Sequence, residues 1–319
     1  MKKITIIGAG MMASALCIPL SDNGCEIRLV GTPLDDGIIA GLKKDGRHIT
    51  LDRTLPAGIS YYTFKELSES FFDCDVIVCG VSSFGVDWFA DNVIPRLRKG
   101  VPVLAVTKGL YDQGGELIGF PEYYETKRND VPFCAIGGPC TSYELADRAD
   151  SSVAFCGRDI SVLSFCAEAF ETDYYHVAVT ADVRGLETAV ALKNCYALGV
   201  TLAVGEYEKK TPGKPYYNPQ AAAFTESARE MRRLVRRAGG TDESLDFGIG
   251  DLYVTIYGGR TRKLGILLGS GKTFAEAREI LNGVTLESVE IAKRIGAYIE
   301  ACGKIDDFPL LKRIYGYIK

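Results

Sequence analysis

The chain has 319 residues, of which 47% are hydrophobic and 24% charged, and its formal net charge is −4. This length favours two domains over one small core, and the composition is that of an ordinary soluble globular protein. The slight negative charge, without any block of like charges, excludes an electrostatic nucleic-acid binder and a charged tail.

The amino-terminal stretch and the cysteines bear on the compartment. Met1-Lys2-Lys3 and the apolar residues after it imitate a signal peptide, but Gly8 and Gly10 interrupt the apolar run. The 10 cysteines include no CxxC pair, which is typical of reduced, mostly buried thiols. We therefore expect an uncleaved cytoplasmic protein. No apolar run reaches the roughly 18 to 20 residues of a membrane span, so none is expected.

Short apolar runs alternate with helical stretches along the first half of the chain. A helix is predicted over residues 11–20, and strands are predicted over residues 4–7, 27–30, 75–81, 101–106, 132–136, 152–155 and 174–179. This alternation implies parallel βαβ units, so residues 1–180 are predicted to form a doubly wound, Rossmann-type sheet.

After residue 180 the apolar residues follow helical spacing. Helices are predicted over residues 185–204, 221–238, 274–280 and 286–301, with no evident strand between them. The polar stretch 206–220, which contains several prolines, predicts a mobile loop. The expected fold class is α/β: an N-terminal Rossmann-type doubly wound sheet followed by an all-α C-terminal domain over residues 181–319.

The pattern Gly8-x-Gly10-x-x-Ala13 follows the first predicted strand and opens the first predicted helix. In that context it is typical of a dinucleotide-binding turn. The first glycine makes the turn, the second lets the backbone reach a pyrophosphate, and the small third residue lets the helix pack closely. A merely structural turn is the alternative, but the position favours cofactor binding.

The end of the second predicted strand should identify the cofactor. An acidic residue there would bind the ribose 2′-hydroxyl of NAD, and a cation would bind the 2′-phosphate of NADP. Thr32 stands there instead, and Asp35 and Asp36 come late. The sequence leaves both cofactors open, with a preference for NAD.

A second informative stretch runs from Gly248 to Gly265. It places a carboxylate, a hydroxyl and several cations on a glycine-punctuated frame, among them Asp251, Thr255 and Arg260. Glycine permits backbone turns, and arginine beside hydroxyls and amides is a common way to bind a phosphate. The alternative for Arg260 is a surface position on a basic turn.

Lys193 stands between Leu192 and Asn194 on a mostly apolar predicted helix. Because a buried lysine without a partner is costly, Lys193 either keeps its amine at the surface or has a partner. With a partner it could protonate a carbonyl oxygen as hydride arrives. Asp251 is the candidate partner, although it could instead cap a helix. Lys108, after a predicted strand, is either a ligand-binding group at the sheet edge or an exposed loop lysine.

The two histidines, His48 and His176, share no apparent partners in the sequence. We interpret both as structural or solvated. A histidine-based dehydrogenase and a metal site are therefore not expected.

At this point several motifs match a known family. The chain resembles NAD(P)-dependent glycerol-3-phosphate dehydrogenases from end to end. The matching segments are Gly8-Ala9-Gly10-Met11-Met12-Ala13, Thr107-Lys108-Gly109-Leu110, Gly138-Pro139-Cys140-Thr141-Ser142-Tyr143-Glu144, Val183-Arg184-Gly185-Leu186-Glu187, Ala191-Leu192-Lys193-Asn194, Gly250-Asp251-Leu252-x-x-Thr255 and Gly259-Arg260-Thr261-Arg262.

The resemblance implies reversible hydride transfer between NAD(P)H and dihydroxyacetone phosphate, giving sn-glycerol 3-phosphate for glycerophospholipid synthesis. It makes Lys193 the acid/base and Asp251 its support. The substrate would contact Lys108, Asn194, Thr255, Arg260 and Thr261. The cofactor would contact Gly8, Gly10, Met11, Met12, Ala13, Thr32, Ser83, Phe84, Lys108, Ser142, Arg260 and Asn282. The partners expected are a small phosphorylated substrate and a second copy of the chain in a homodimer, but no nucleic acid.

The sequence departs from the family pattern at three positions. Thr261 stands where asparagine is common, Asn282 stands where a glutamate usually precedes Gly283-Val284, and Cys140 replaces a serine or threonine. A reductase of another small phosphorylated or carboxylated hydroxyketone, of the ketopantoate-reductase type, therefore stays an alternative. So does a non-catalytic dinucleotide sensor, although a sensor would not need both Lys193 and Asp251.

Overall fold

The computed structural model describes residues 1–71, 73–282 and 286–319. The chain forms two compact units. The first comprises Met1–Tyr111 and Ile118–Val183, and the second comprises Asp112–Leu117 and Arg184–Lys319. The domain boundary predicted at residue 180 stays a prediction.

Among the described residues, the strands lie within positions 1–180. They are β1 (Lys3–Ile7), β2 (Glu26–Val30), β3 (Arg47–His48), β4 (Arg53–Thr54), β5 (Ser60–Tyr62), β6 (Val76–Cys79), β7 (Val103–Ala105), β8 (Leu110–Gln113), β9 (Glu116–Gly119), β10 (Phe133–Gly137), β11 (Ser151–Cys156) and β12 (Tyr175–Thr180). Each strand predicted from the sequence is present. The prediction missed β3, β4, β5, β8 and β9, which are short or more polar.

The main sheet has eight strands in the order β12-β11-β10-β7-β6-β1-β2-β5. Strands β10 and β11 pair antiparallel, and every other neighbouring pair in this sheet is parallel. The sheet grows outward in both directions from β1 and β6, which is where doubly wound sheets bind ligands at the carboxyl ends of the strands. Ile4 and Ile7 of β1 are both fully buried, as expected for a parallel strand covered on both faces.

The helices flank this sheet and then build the second unit. They are α1 (Met11–Ala15), α2 (Cys17–Asp22), α3 (Asp36–Asp45), α4 (Leu67–Ser70), α5 (Val86–Asn92), α6 (Phe120–Lys127), α7 (Ser142–Ala146), α8 (Ile160–Phe170), α9 (Val183–Lys210), α10 (Tyr217–Arg237), α11 (Asp242–Thr255), α12 (Gly259–Gly269), α13 (Phe274–Ile280), α14 (Glu287–Ala301) and α15 (Pro309–Ile318). The Rossmann-type sheet followed by a helical C-terminal region is confirmed.

Two details of the helical region bear on the sequence prediction. The sequence predicts one loop over residues 206–220, but α9 continues to Lys210 and α10 begins at Tyr217, so the connection is only 211–216. Helix α9 is long and apolar enough to cross a membrane, yet 83% of its most apolar window is buried inside the protein. Such burial is typical of a core helix.

The last helix is anchored by a buried carboxylate. Glu230 on α10 is fully buried and accepts hydrogen bonds from the backbone N–H groups of Leu310 (2.7 Å) and Leu311 (2.9 Å). The hydroxyl of Tyr196 on α9 donates a further bond of 2.9 Å. Because the first N–H groups of a helix have no intrahelical partner, Glu230 satisfies the start of α15 and joins three helices of the second unit.

Candidate active site

The turn after β1 has the backbone that a dinucleotide-binding turn requires. Gly8 has φ = 104°, and a Cβ there would lie 2.8 Å from the carbonyl oxygen of Gly80. Ala13 packs so closely on Gly80 that a Cβ at Gly80 would overlap it. Gly10 is exposed, and a Cβ added to it would meet only the Gly80 carbonyl oxygen, at 3.9 Å. The first and third positions of the motif thus tolerate no larger side chain, whereas there is free space beside the second. That free space suits the pyrophosphate of a cofactor.

Two side chains hold the central residue of this turn. The carboxylate of Asp35 accepts hydrogen bonds from the backbone N–H of Ala9 (3.1 Å) and from the N–H (2.8 Å) and hydroxyl (2.7 Å) of Thr32. On the other side, Nε2 of His48 lies 2.8 Å from the carbonyl oxygen of Ala9. The sequence suggested no partner for His48, but the structure gives it one in Ala9.

Asp35 is a residue whose role the sequence reasoning missed. It comes several residues after the end of β2, but the chain turns back and its carboxylate reaches Thr32. Its N-cap position in α3 makes an acidic residue usual there, but that signal indicates the start of a helix and not the contact with Ala9.

Further candidate residues follow the strands on the same side of the sheet. Lys108 follows β7, is half-buried, and donates a 3.0 Å hydrogen bond to the carbonyl oxygen of Gly138, directly after β10. Ser83 and Phe84 follow β6, and Phe84 is 59% exposed. Ser142 begins α7 after β10. The carboxyl ends of parallel strands share one edge, so these residues line the edge beside the glycine turn.

Met11 and Met12 begin α1 directly after that turn. Met11 is exposed, Met12 is half-buried, and no side chain caps the helix. Both therefore lie beside the position where the backbone would approach a pyrophosphate.

In the second unit, Lys193 and Asp251 form an ion pair. The amine of Lys193 on α9 lies 2.6 Å from a carboxylate oxygen of Asp251 on α11. The Asp251 side chain is fully buried, and that of Lys193 is 14% exposed. The two alternatives considered for these residues do not describe the structure, because Asp251 lies inside a helix rather than at its cap, and Lys193 is paired rather than solvated.

A glycine allows these two helices to approach. A Cβ at Gly248 of α11 would lie 2.6 Å from the Cβ of Ala189 on α9. Gly248 is one turn before Asp251, and Ala189 is one turn before Lys193. The close contact therefore sets the separation of the helices at the level of the ion pair.

The stretch from Gly248 to Gly265 is mostly helical rather than a series of turns. Only residues 256–258 separate α11 from α12, and Gly259 at the start of α12 has φ = 75°. Gly248 and Gly265 lie inside helices, where each meets a side chain of α9 too closely for a Cβ. These glycines serve helix packing, which the sequence interpretation did not anticipate.

The predicted phosphate-binding residues cluster around the turn between α11 and α12. Thr255 ends α11, is half-buried, and donates its hydroxyl to the carbonyl oxygen of Asp251 (2.7 Å). Arg260 is exposed in the first turn of α12, and Thr261 follows it half-buried. The N-cap of α12 is Gly258, so no side chain caps this helix. An uncapped helix start beside an arginine suits an anion.

The last two predicted residues are amides. Asn194 follows Lys193 on α9 and is half-buried. Asn282 lies in the turn after α13 with φ = 56°, a conformation that asparagine tolerates better than most residues. Gly283 and Val284, which complete that motif, lie outside the described residues.

Among the described residues, no group of three or more His, Cys, Asp or Glu side chains is arranged to hold a metal ion. His176 is exposed beside Glu171, and its Nδ1 lies 3.4 Å from that carboxylate.

The fold and these groups define a nicotinamide-dinucleotide-dependent oxidoreductase. The sequence matches the family model of the NAD-dependent glycerol-3-phosphate dehydrogenase N-terminus over residues 3–161 and that of its C-terminus over residues 182–319. The chain belongs to the NAD(P)-dependent glycerol-3-phosphate dehydrogenase family, as its motifs predicted.

Individual relatives agree with this assignment. The chain is 33% identical to the NADP(+)-dependent glycerol-3-phosphate dehydrogenase of Archaeoglobus fulgidus, covering 98% of this chain and 93% of that protein. It is 28% identical to the glycerol-3-phosphate dehydrogenase [NAD(P)+] of Shouchella clausii, covering 100% and 92%. The crystal structure of glycerol-3-phosphate dehydrogenase from Coxiella burnetii has the same fold, with a TM-score of 0.84 at 24% identity over 98% of this chain and 93% of that one.

Proposed function

We propose that this enzyme reduces dihydroxyacetone phosphate reversibly to sn-glycerol 3-phosphate. The observation that carries the proposal is the ion pair between Lys193 and the fully buried Asp251. When bound, the nicotinamide supplies the hydride to the substrate carbonyl carbon. The other requirements of the reaction, which are the proton, the positioning of the substrate and the stabilisation of developing charge, fall to side chains of this chain.

Lys193 supplies the proton in this proposal. Its ammonium donates to the ketone oxygen of the substrate as negative charge develops there, and the amine accepts the proton back in the reverse direction. Asp251 keeps the amine in position, because its side chain lies within the middle of α11 and is fully buried. Asn194, beside Lys193, is assigned to the substrate.

The phosphate is assigned to the start of α12. Arg260 would donate paired hydrogen bonds to the phosphate oxygens, and the N–H groups of the first helical turn add a favourable dipole. Thr255 and Thr261 contribute hydroxyls near the same turn. Lys108 in the first unit is assigned to the substrate by family resemblance.

For the cofactor, we favour NAD over NADP. Thr32 follows the second strand, and the Asp35 carboxylate that binds it brings a negative charge to the place where a 2′-phosphate would lie. A carboxylate there accepts a hydrogen bond from a ribose hydroxyl and repels a phosphate. The A. fulgidus relative carries the name of an NADP(+)-dependent enzyme, so the preference has to be measured on this chain. A homodimer, cytoplasmic location and supply of glycerophospholipid precursors complete the proposal.

The first experiment measures oxidation of NADH and NADPH against dihydroxyacetone phosphate, other small ketose phosphates and α-keto acids. The proposal predicts the highest kcat/KM with dihydroxyacetone phosphate. Turnover of an α-keto acid but not of dihydroxyacetone phosphate would identify the ketopantoate-type alternative. Cofactor binding without turnover of any substrate would identify a sensor.

Two variants test the residue assignments. Lys193→Met should lower kcat by roughly 10²-fold or more while the dissociation constant for NADH stays near that of the wild type.

Arg260→Ala should lower kcat/KM for dihydroxyacetone phosphate by roughly 10²-fold and hardly change the weak activity on unphosphorylated dihydroxyacetone. Lys263→Ala, an exposed cation in the same helix, is the matched control and should change neither. Equal losses of Arg260→Ala on both substrates would remove the phosphate assignment.

A further inference from the structure

The central peptide of the glycine-rich turn is held by a buried histidine. His48 has no exposed surface, and its Nε2 lies 2.8 Å from the carbonyl oxygen of Ala9. Its other ring nitrogen, Nδ1, accepts a 3.0 Å hydrogen bond from the backbone N–H of Leu51. Because Nδ1 is an acceptor, the ring proton resides on Nε2, which therefore donates to Ala9.

The hairpin that carries His48 is held by its own pairing and by one ion pair to a neighbouring helix. Strands β3 and β4 pair His48 with Arg53, and the N–H of Asp52 donates to the carbonyl oxygen of His48 at 2.8 Å. Arg53 forms two 2.7 Å hydrogen bonds with the carboxylate of Asp147, at the end of α7. The short β3–β4 hairpin thus holds the His48 imidazole against the glycine-rich turn.

Holding the Ala9 carbonyl also determines where the next N–H points. The carbonyl of Ala9 and the N–H of Gly10 belong to one planar, trans peptide, so they point in opposite directions. Because Gly10 has no Cβ, its φ presents few steric barriers to a rotated Ala9–Gly10 peptide. The bond from His48 draws the carbonyl inward and leaves the Gly10 N–H directed away from His48. Asp35 fixes the preceding peptide in the same way through the Ala9 N–H.

We propose that His48 is a positioning residue of the cofactor site, acting through Ala9 to aim the Gly10 N–H at the dinucleotide pyrophosphate. This assignment rests on the proposed function, because it requires the turn to bind the cofactor. His48 touches neither cofactor nor substrate. Its contribution is to keep the turn in the binding conformation before the cofactor arrives, which removes an ordering cost from binding.

The test compares two substitutions of similar size. His48→Asn keeps an acceptor for the Leu51 N–H but is too short to reach Ala9, whereas His48→Gln can place an amide N–H near the position of Nε2. His48→Asn should raise the dissociation constants of NADH and ADP-ribose about tenfold, the effect of one lost hydrogen bond, and His48→Gln should recover much of the loss. At saturating NADH, kcat and the KM for dihydroxyacetone phosphate should stay within about threefold of wild type. His176→Asn, at the exposed histidine, is the matched control and should bind both ligands normally.

The outcomes separate this assignment from the proposed function. Failure of the wild type to bind NADH or ADP-ribose would overturn the cofactor site, and with it the assignment. Normal wild-type binding, with unchanged binding in His48→Asn, would overturn the assignment alone. A measurement on the wild type avoids any folding defect: the chain has 2 histidines, so ¹⁵N spectra of the wild type and His176→Asn identify the His48 ring. The bond from the Leu51 N–H requires a proton on Nε2 and none on Nδ1, and a proton on Nδ1 would overturn the assignment.

Discussion

The contact between Gly248 and Ala189 gives the sharpest test of how the fold positions the Lys193–Asp251 pair. The substitution Gly248→Ala adds a methyl group whose carbon would lie 2.6 Å from the Cβ of Ala189 and 2.9 Å from its carbonyl carbon and oxygen. These distances are about 1 Å shorter than an ordinary carbon–carbon contact, for which roughly 3.5 to 4.0 Å is optimal. Helix α11 must therefore move away from α9 by roughly that amount.

This displacement should cost stability and activity by different mechanisms. Overpacking a tight contact typically costs about 1 to 3 kcal/mol of unfolding free energy, partly offset here by the better helix propensity of alanine, roughly 1 kcal/mol. The larger effect should be on kcat. Because Asp251 is one helical turn from Gly248, the 2.6 Å ion pair would lengthen, and a misplacement of about 1 Å in a catalytic group can lower the rate by roughly 10²-fold.

The assay is kcat with dihydroxyacetone phosphate at saturating NADH, together with urea unfolding of the same preparations. Gly316→Ala is the matched control, because Gly316 lies in α15 with nothing within 4 Å of an added Cβ. It should be slightly stabilised and fully active. The double variant Gly248→Ala/Ala189→Gly removes the closest contact and should recover part of the lost kcat, since the backbone contacts at 2.9 Å remain. If Gly248→Ala retains kcat within a few-fold of wild type, helix separation does not set the geometry of the pair and the reasoning is wrong.

Four further predictions concern other sites. Asp251→Asn should lower kcat less than Lys193→Met, because the amine remains and only its orienting charge is lost; single-turnover rates with NADH compare the two. Thr32→Arg should raise kcat/KM with NADPH relative to NADH by placing a cation near the 2′-phosphate, and a wild-type preference for NADPH of a hundredfold or more would contradict this interpretation. Burial raises the pKa of the Glu230 carboxyl above its usual range. Its protonated form is thus favoured by folding, so the wild type should lose stability relative to Glu230→Gln as the pH rises from the ordinary carboxyl pKa through the higher native pKa; urea unfolding of both proteins over a series of pH values from acidic to neutral measures this loss. Cys302 is the exposed cysteine, whereas Cys25 and Cys140 are half-buried and the other seven are buried, so Cys302→Ser should remove the fastest phase of thiol modification; an unchanged fastest phase would contradict this order of exposure.

The parallel strands and long helices could be predicted from the sequence because their residues obey one local rule. A central strand such as β1 is apolar almost throughout, since both of its faces are buried. Short strands such as β5 carry no comparable signal, because Ser60–Tyr62 is only three residues long and its place beside β2 depends on the rest of the sheet. Helix α11 could not be predicted for a related reason. Its glycines lower the helix propensity of the segment, and the helix forms because tertiary packing outweighs that low propensity.

The candidate site also contains some residues whose contacts could be predicted from the sequence and others whose contacts could not. Lys193 and Asp251 could be paired from the sequence because a buried charge needs a counter-charge, a rule that depends only on residue type. The contacts of Asp35 and His48 with Ala9 could not be predicted, because neither residue stands where a motif would place it. Each reaches the turn only after the chain between β2 and β5 has folded back, and no sequence spacing encodes that path.

The tight glycine contacts along α9 limit how this helix can change length. Ala189 meets Gly248 near one end, and Thr201 meets Gly265 further along, with Lys193 between them. One inserted residue would rotate everything beyond it by about 100° and advance it by about 1.5 Å. Either the ion pair or the contact with α12 would then be lost. A scan of single-residue insertions should find tolerated positions in the connection 211–216 and none between residues 189 and 201. The length of the segment 189–201 is therefore as necessary for the active site as the amine of Lys193.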